Sequence, residues 1–283
     1  MAITAQMVRE LREKSGAAMM DCKKALDASG GDMDAAFDHL RKAGLKAAGK
    51  KAGRETSEGR VAAALSEDGR AGAIVAMRCE TDFVAKTPDF AAMMDEYTRV
   101  ALNNDLPDGE AKEAFAAMKT SDGSTVAEHL QQVIGKLGEN IQIAGVRRFQ
   151  TDKGYVSSYI HHNGMIGALA AVTTESADDK SREVIRLLCQ HIAAFKPAYS
   201  QRDEVPAEDL DRERQVHLES EELARKPEEI REKIVKGKLE KFYSEICLVE
   251  QPWIKDDKQS VAKAIEKELG KGSTVEASQL YTI

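Results

Sequence analysis

A hydroxyl, a carboxylate and a large aromatic stand side by side at Thr81-Asp82-Phe83, inside the octet Cys79-Glu80-Thr81-Asp82-Phe83-Val84-Ala85-Lys86. The run before it, Gly72-Ala73-Ile74-Val75-Ala76-Met77, reads as a buried strand. The run after it, Thr87-Pro88-Asp89-Phe90, reads as a helix start, with Thr as N-cap and Pro at the first helical position. The octet is therefore a strand-to-helix connection, a place where a rigid scaffold often carries function. On the residues alone two readings stand. Asp82 caps a turn and Phe83 packs into the local core, or the loop presents both for contact.

Other chemistries lack their patterns. There is no GxxxxGK phosphate loop, so the chain is not expected to bind a nucleotide itself. Asp32-Met33-Asp34 lacks the rest of a calcium loop. His161-His162 lacks the i, i+4 spacing of a helical zinc site, and adjacent histidines on a strand point to opposite faces, so the pair reads as a surface turn. No serine sits in a GxSxG elbow. No covalent enzyme, cofactor or metal is expected.

Composition narrows the class further. The 283 residues suffice for two or three modules with their own cores. A net charge of -7 argues against a general nucleic-acid binder, and 5% aromatic content supplies no base-stacking platform. Cys22, Cys79, Cys189 and Cys247 are scattered, which fits a reducing cytosol better than a disulfide framework or a zinc site. No signal peptide is read at the N-terminus and no apolar run approaches the ~20 residues of a membrane span, so a cytoplasmic location is expected.

Taken in order, residues 2–45 read as three short helices. Thr4 and Asp32 are caps, Gly16 and Ser29-Gly30-Gly31 are stops, and Met33, Ala36, Phe37 and Leu40 form a stripe. Lys46 to Gly59 reads as a flexible, charged linker. A hairpin follows, Val61–Leu65 with Ala71–Met77, and after the octet come helices over Pro88–Asn103 and Gly109–Lys119. A third helix opens on the capping box Thr125-Val126-Ala127-Glu128, and Val126, Leu130, Val133, Ile134 and Leu137 share one of its faces. Glu139–Val146 alternates as a strand. The scheme then restarts: a hairpin over Tyr155–Ile160 and Ile166–Thr173 with a turn at His162-Asn163-Gly164, a helix over Asp178–Phe195, a strand over Glu245–Gln251, a helix over Ser260–Leu269 and a strand over Thr274–Thr282. The shared hairpin-then-helix order suggests a structural repeat. Into the second half is inserted Pro206–Phe242, a stretch dense in charge. Leu210, Val216 or His217, and Leu223 mark one arm, and Ile230, Ile234 and Leu239 the other, with Lys226-Pro227 as the turn. This fits two antiparallel helices with a narrow apolar seam.

Two motifs carry a family resemblance. Thr81-Asp82-Phe83-Val84-Ala85-Lys86 resembles the signature loop of the bacterial elongation factor Ts family. Leu11-Arg12-Glu13-Lys14-Ser15-Gly16-Ala17-Ala18-Met19-Met20-Asp21-Cys22-Lys23-Lys24-Ala25-Leu26 resembles its N-terminal motif. One departure precedes the loop, where Ala76, Met77 and Arg78 replace the usual Glu-hydrophobic-Asn.

The resemblance implies an α+β fold in five segments: a three-helix module of the ubiquitin-associated type with its linker (1–53), a first core subdomain (54–150), a second (151–205 and 243–283) with small antiparallel sheets, and an inserted coiled-coil hairpin (206–242). It implies a guanine-nucleotide exchange factor that binds elongation factor Tu, both GDP-bound and nucleotide-free, without direct contact to nucleic acid or membrane. Thr81, Asp82, Phe83 and Val84 would dislodge the partner's Mg²⁺. Arg12, Met19, Met20 and Leu137 match contacts with its GTPase domain, and His161, Asn163 and Gly164 match a contact with another of its domains. The hairpin suits contact with a second copy or a different chain. The alternative is a non-catalytic adaptor that tethers partners through the helical module and the hairpin. An exchange factor needs Asp82-Phe83 exposed; an adaptor does not.

Overall fold

The computed structural model describes residues 2–107, 111–176, 178–220 and 226–283, with only the backbone described at 45–47. Three helices come first, α1 (Ala5–Ser15), α2 (Met19–Ala28) and α3 (Met33–Gly49). Their limits have local causes. The Thr4 hydroxyl accepts from the Met7 amide, the Asp32 carboxylate accepts from the Ala35 amide, and Gly16 ends α1 in the left-handed region. Val8, Leu11, Cys22, Ala25, Leu26 and Ala36 close a small core between the three.

The hairpin of β1 (Glu58–Leu65) and β2 (Ala71–Cys79) follows, then α4 (Asp82–Ala85), α5 (Pro88–Asn103), α6 (Lys112–Ala117), α7 (Val126–Leu137) and β3 (Ile141–Gln150). The sheet order is β1-β2-β3. Thr87 caps α5 with Pro88 in its first turn, and both halves of the Thr125–Glu128 capping box are formed. α6 is shorter than expected, and the expected start at Gly109 lies outside the described residues. Ala73, Val75 and Met77 of β2 share one core with Phe90, Met93 and Tyr97 of α5 and Val126, Val133 and Ile134 of α7.

The expected linker is different in kind. α3 continues through Gly49, and Ala48 is buried in the core just described. Beyond it the Lys51 ammonium donates to the Ile134 carbonyl at 3.4 Å, and the buried Asn140 side chain donates to the Arg54 carbonyl at 2.7 Å. Small residues suggest a tether; here Ala48 packs into the first unit's core, and Gly44, just ahead of the expected linker, lies against Gly135 of α7.

The second half repeats the plan. β4 (Tyr155–Ile160) pairs antiparallel with β5 (Ile166–Thr173), Tyr155 opposite Val172 and Ile160 opposite Gly167. There follow α8 (Asp179–Phe195), α9 (Ala207–Leu218), α10 (Glu228–Ile246), the short pair β6 (Pro252–Trp253) and β7 (Asp256–Ser260), α11 (Val261–Leu269) and β8 (Thr274–Thr282). The order β4-β5-β8 matches β1-β2-β3: a hairpin, then helices, then a late strand beside the hairpin's second strand. Ala168, Ala170 and Val172 of β5 share a core with Ile185, Leu188 and Ile192 of α8, Trp253, and Val261 and Ile265 of α11.

Two expectations are corrected here. Residues 245–251 are no strand: α10 runs to Ile246 and a 3-10 turn takes Leu248–Glu250. The segment makes a single bridge, Tyr199 to Cys247, so its alternating pattern has no ladder to join. In the charged insertion α9 and α10 pack on each other, with Val235 buried. Of the alternatives Val216 and His217 for the seam, Val216 is exposed and His217 half-buried; Ile230 is exposed, whereas Leu210, Ile234 and Leu239 are half-buried. Leu223 lies outside the described residues.

The described residues fall into two compact units. One holds the residues up to Ala62, Ala73–Arg148 and Tyr281–Ile283; the other holds Ala63–Gly72 and Phe149–Leu280. The fold is α+β.

Candidate partner-binding site

The octet after β2 is a braced single turn of helix. Thr81 is extended and caps α4, its hydroxyl accepting from the Val84 amide at 3.4 Å. Val84 and Ala85 turn inward and are buried in the first unit's core. Successive helical residues point about 100° apart, so Phe83 is turned outward. It is 80% exposed. The reading that packs Phe83 into the core is therefore set aside, and so is the one that makes Asp82 the cap. Asp82 lies in the first turn of α4, where a negative charge suits the helix dipole, and it pairs with Lys86 at 2.6 Å. That hydrogen bond from the Lys86 ammonium holds the Asp82 carboxyl below its ordinary range.

Four residues cannot sustain a helix alone, and neighbours hold both ends. The Glu139 carboxylate accepts from the Thr81 hydroxyl at 2.5 Å and from the Thr81 amide at 3.0 Å. The Glu80 carboxylate accepts from the Asn140 amide at 2.6 Å and pairs with Arg54 at 3.3 Å. The Asn140 amide, with Arg54 behind it, keeps Glu80 ionised below its ordinary range. At the far end the Arg60 Nε donates to the Ala85 carbonyl at 2.7 Å, and the Thr87 hydroxyl to the Val84 carbonyl at 2.8 Å. The Cys79 thiol beneath the loop donates to the Thr81 carbonyl at 3.2 Å. Burial, with the nearby Glu139 charge, pushes it up to about 11, so it stays protonated. Ala76 and Met77 are buried in β2 and Arg78 is exposed, so the loop takes its polar support from Glu80, Glu139 and Arg60.

Arg12, Met19 and Met20 flank the turn at Gly16, and all three are exposed, Met19 by 51% and Met20 by 61%. The end of the Lys136 side chain lies 3.0 Å from where a Cβ on Gly16 would stand. The C-terminal end of α7 thus adjoins the α1–α2 turn through Lys136 and reaches Thr81 through Glu139. Leu137 stands between these two, half-buried against the core. Among the described residues of the first unit, the exposed large hydrophobics are Met19, Met20 and Phe83.

In the second unit, His161, Asn163 and Gly164 make the β4–β5 turn. The His161 amide donates to the Ile166 carbonyl at 2.9 Å and the Met165 amide to the Asn163 side chain at 2.9 Å, while Gly164 takes a φ of 71°. The two histidines do not point to opposite faces, because both stand beyond the strand end; their rings lie 4.2 Å apart. His161 Nδ1 is 2.9 Å from the Tyr159 hydroxyl. Among the described residues no three His, Cys, Asp or Glu side chains are placed to hold a metal ion.

The family model for elongation factor Ts matches residues 80–282, beginning one residue before Thr81. The chain is 40% identical over 278 residues to elongation factor Ts of Clostridium botulinum (strain Eklund 17B / Type B), covering 98% of this chain and 91% of that protein. It is 42% identical over 273 residues to that of Clostridium kluyveri (95% and 88%), and 38% over 265 residues to that of Prosthecochloris aestuarii (94% and 92%). The chain belongs to the elongation factor Ts family. Membership gives it a role in translation elongation. The matched region of the elongation factor Ts model takes in the loop, Leu137 and the β4–β5 turn, while Arg12, Met19 and Met20 lie ahead of it. No helix among the described residues is long and apolar enough to cross a membrane.

The sequence assigns no bracing role to Glu80, Glu139 or Arg60; it reads Glu139 as the first residue of a strand, whereas β3 begins at Ile141. The one local signal was a glutamate directly after Gly138, the left-handed end of α7; nothing in the spacing joins it to Thr81.

Proposed function

We propose that this chain is a guanine-nucleotide exchange factor for elongation factor Tu, one that speeds GDP release without making or breaking a covalent bond. The single observation that carries the reading is Phe83, an aromatic ring held out at 80% exposure on a braced helical turn. One exposed ring is ordinary on a protein surface; this one stands on a hydrogen-bonded turn inside the family's signature loop, which suits it to insert into a partner. In this reading Phe83 wedges between side chains of the partner's nucleotide domain, with Thr81, Asp82 and Val84 around it. The movement disturbs the partner's Mg²⁺ and phosphate site. Arg12, Met19, Met20 and Leu137 grip the GTPase domain, and His161, Asn163 and Gly164 touch another domain. Methionines suit such an adaptable surface. A factor that binds the nucleotide-free partner more tightly must, by linkage, be weakened by nucleotide in the same ratio. The three-helix module and the α9–α10 arm are assigned to contact rather than to exchange, the arm to a second copy or another chain.

The adaptor alternative predicts binding with no effect on nucleotide. Release of labelled GDP from purified elongation factor Tu separates the two. Acceleration by substoichiometric amounts of this chain supports exchange; complex formation with an unchanged release rate overturns it.

A further inference from the structure

We infer that Glu139 is a positioning residue for Phe83: it fixes the turn that aims the ring, an inference that rests on the exchange reading above. The evidence is a crossed pair of contacts between residues adjacent in sequence. The Glu139 carboxylate accepts from the amide of Thr81, and the Glu80 carboxylate accepts from the amide of Asn140. Residues 80–81 and 139–140 thus exchange a carboxylate for an amide in each direction. The Thr81 hydroxyl adds a second bond to Glu139, at 2.5 Å, while accepting from Val84 within α4. Asn140 is buried, and its side chain donates to the Arg54 carbonyl, so a third segment of chain is tied into the same knot.

The role differs from general support. The inward side of α4, Val84 and Ala85, is held by apolar burial and would stay docked without Glu139. What Glu139 holds is the amide and hydroxyl of Thr81, the residue that opens the turn, from which the direction of Phe83 follows two residues later. Freed at that end, the ring would have to be ordered on contact with the partner, and ordering a side chain lowers the yield of the contact. The loss should fall on the exchange step, because Met19 and Met20, on another element, are untouched.

The test uses the full chain with Glu139→Gln, which keeps one acceptor oxygen where Thr81 presents two donors. GDP release from elongation factor Tu is followed against factor concentration. The saturating rate is expected to fall about tenfold with half-saturation shifted by less than about twofold, tenfold being the scale of one charge-assisted hydrogen bond. Glu139→Asp, which keeps both oxygens on a shorter stem, is expected to recover part of the rate. In the free protein, hydrogen exchange at the Thr81 amide is expected to speed up in Glu139→Gln while amides in β2 and α5 keep their protection. An unchanged saturating rate, an Asp variant no better than Gln, or a Thr81 amide as protected as before would each overturn the proposal. If the wild-type chain itself fails to speed GDP release, the exchange reading falls, and Thr81 protection still decides whether Glu139 holds the turn.

Discussion

Gly135 of α7 and Gly44 of α3 lie backbone against backbone: a Cβ on Gly135 would come 3.2 Å from the Gly44 Cα. The contact seats the three N-terminal helices on the first unit's core, where a flexible tether had been expected. Gly135→Ala gains about 1 kcal/mol of helix propensity and loses a similar amount to crowding, so its net effect should be close to zero. Gly135→Leu gains the same propensity but cannot fit, and should destabilise by about 1–3 kcal/mol in urea unfolding. A Leu variant as stable as wild type would mean that α3 does not rest on α7.

Phe83→Ala should separate function from stability. An exposed side chain contributes little to folding, so the unfolding free energy should stay within about 0.5 kcal/mol of wild type. Burying the ring in a partner is worth about 1.5–3 kcal/mol, which should slow stimulated GDP release about ten- to a hundredfold. Wild-type release in this variant would remove Phe83 from the mechanism.

Local chemistry was legible where one segment decides it. Thr125 with Glu128, Thr87 with Pro88, and Gly16 each announced a helix limit that the fold keeps. The loop at Thr81 was legible as a motif, but its exposure was not, because only the burial of Val84 and Ala85 decides which way Phe83 turns. Long-range polar ties left no trace in the pattern: Thr81 reads as part of the loop motif and Glu139 as the start of a strand, and nothing in the chain between them joins the two. Alanine and glycine near residue 48 misled in the same way, since small residues serve close packing as well as flexibility.

His191 makes the second unit sensitive to acid. It is fully buried on α8, its ring stacked 4.5 Å from Phe195 and 5.5 Å from Trp253. The Gln251 amide nitrogen donates to the Glu245 carbonyl at 2.8 Å, which leaves the Gln251 oxygen facing His191 Nε2 at 3.0 Å. Nε2 thus carries the proton and Nδ1 is without a hydrogen-bond partner. Burial lowers the pKa below its ordinary 6.5, against the opposing Gln251 contact. A lowered folded-state pKa means that the unfolded chain binds the proton first, so stability is lost as pH falls below about 6.5. His191→Gln keeps a donor for Gln251 and removes the titration. Its melting temperature should fall less than that of wild type over the same interval, and parallel curves would exclude the role.

Arg202 clasps the base of the α9–α10 arm. Its guanidinium pairs with Glu240 of α10 at 2.6 Å and with Glu250, and lies 4.2 Å from the centre of the Tyr243 ring. Arg202→Ala should cost about 1 kcal/mol at low salt and less in concentrated salt. Arg202→Lys keeps the charge but loses the fork, and should restore only part. Hydrogen exchange along α10 locates the effect; a loss spread evenly over the unit would argue against a clasp.

Protein synthesis delivers the two sheets on different schedules. The strands β1, β2 and β3 have all been made once Gln150 is added, before β4 exists. The other sheet waits: β5 ends at Thr173, and its outer neighbour β8 does not begin until Thr274, with the whole charged arm made in between. Throughout that interval the nascent chain carries an open strand edge on β5, the kind of edge that recruits wrong partners. Pauses or chaperone contacts on the ribosome therefore matter most for the second half of this chain, whose sheet can close only when a distant stretch of message has been read.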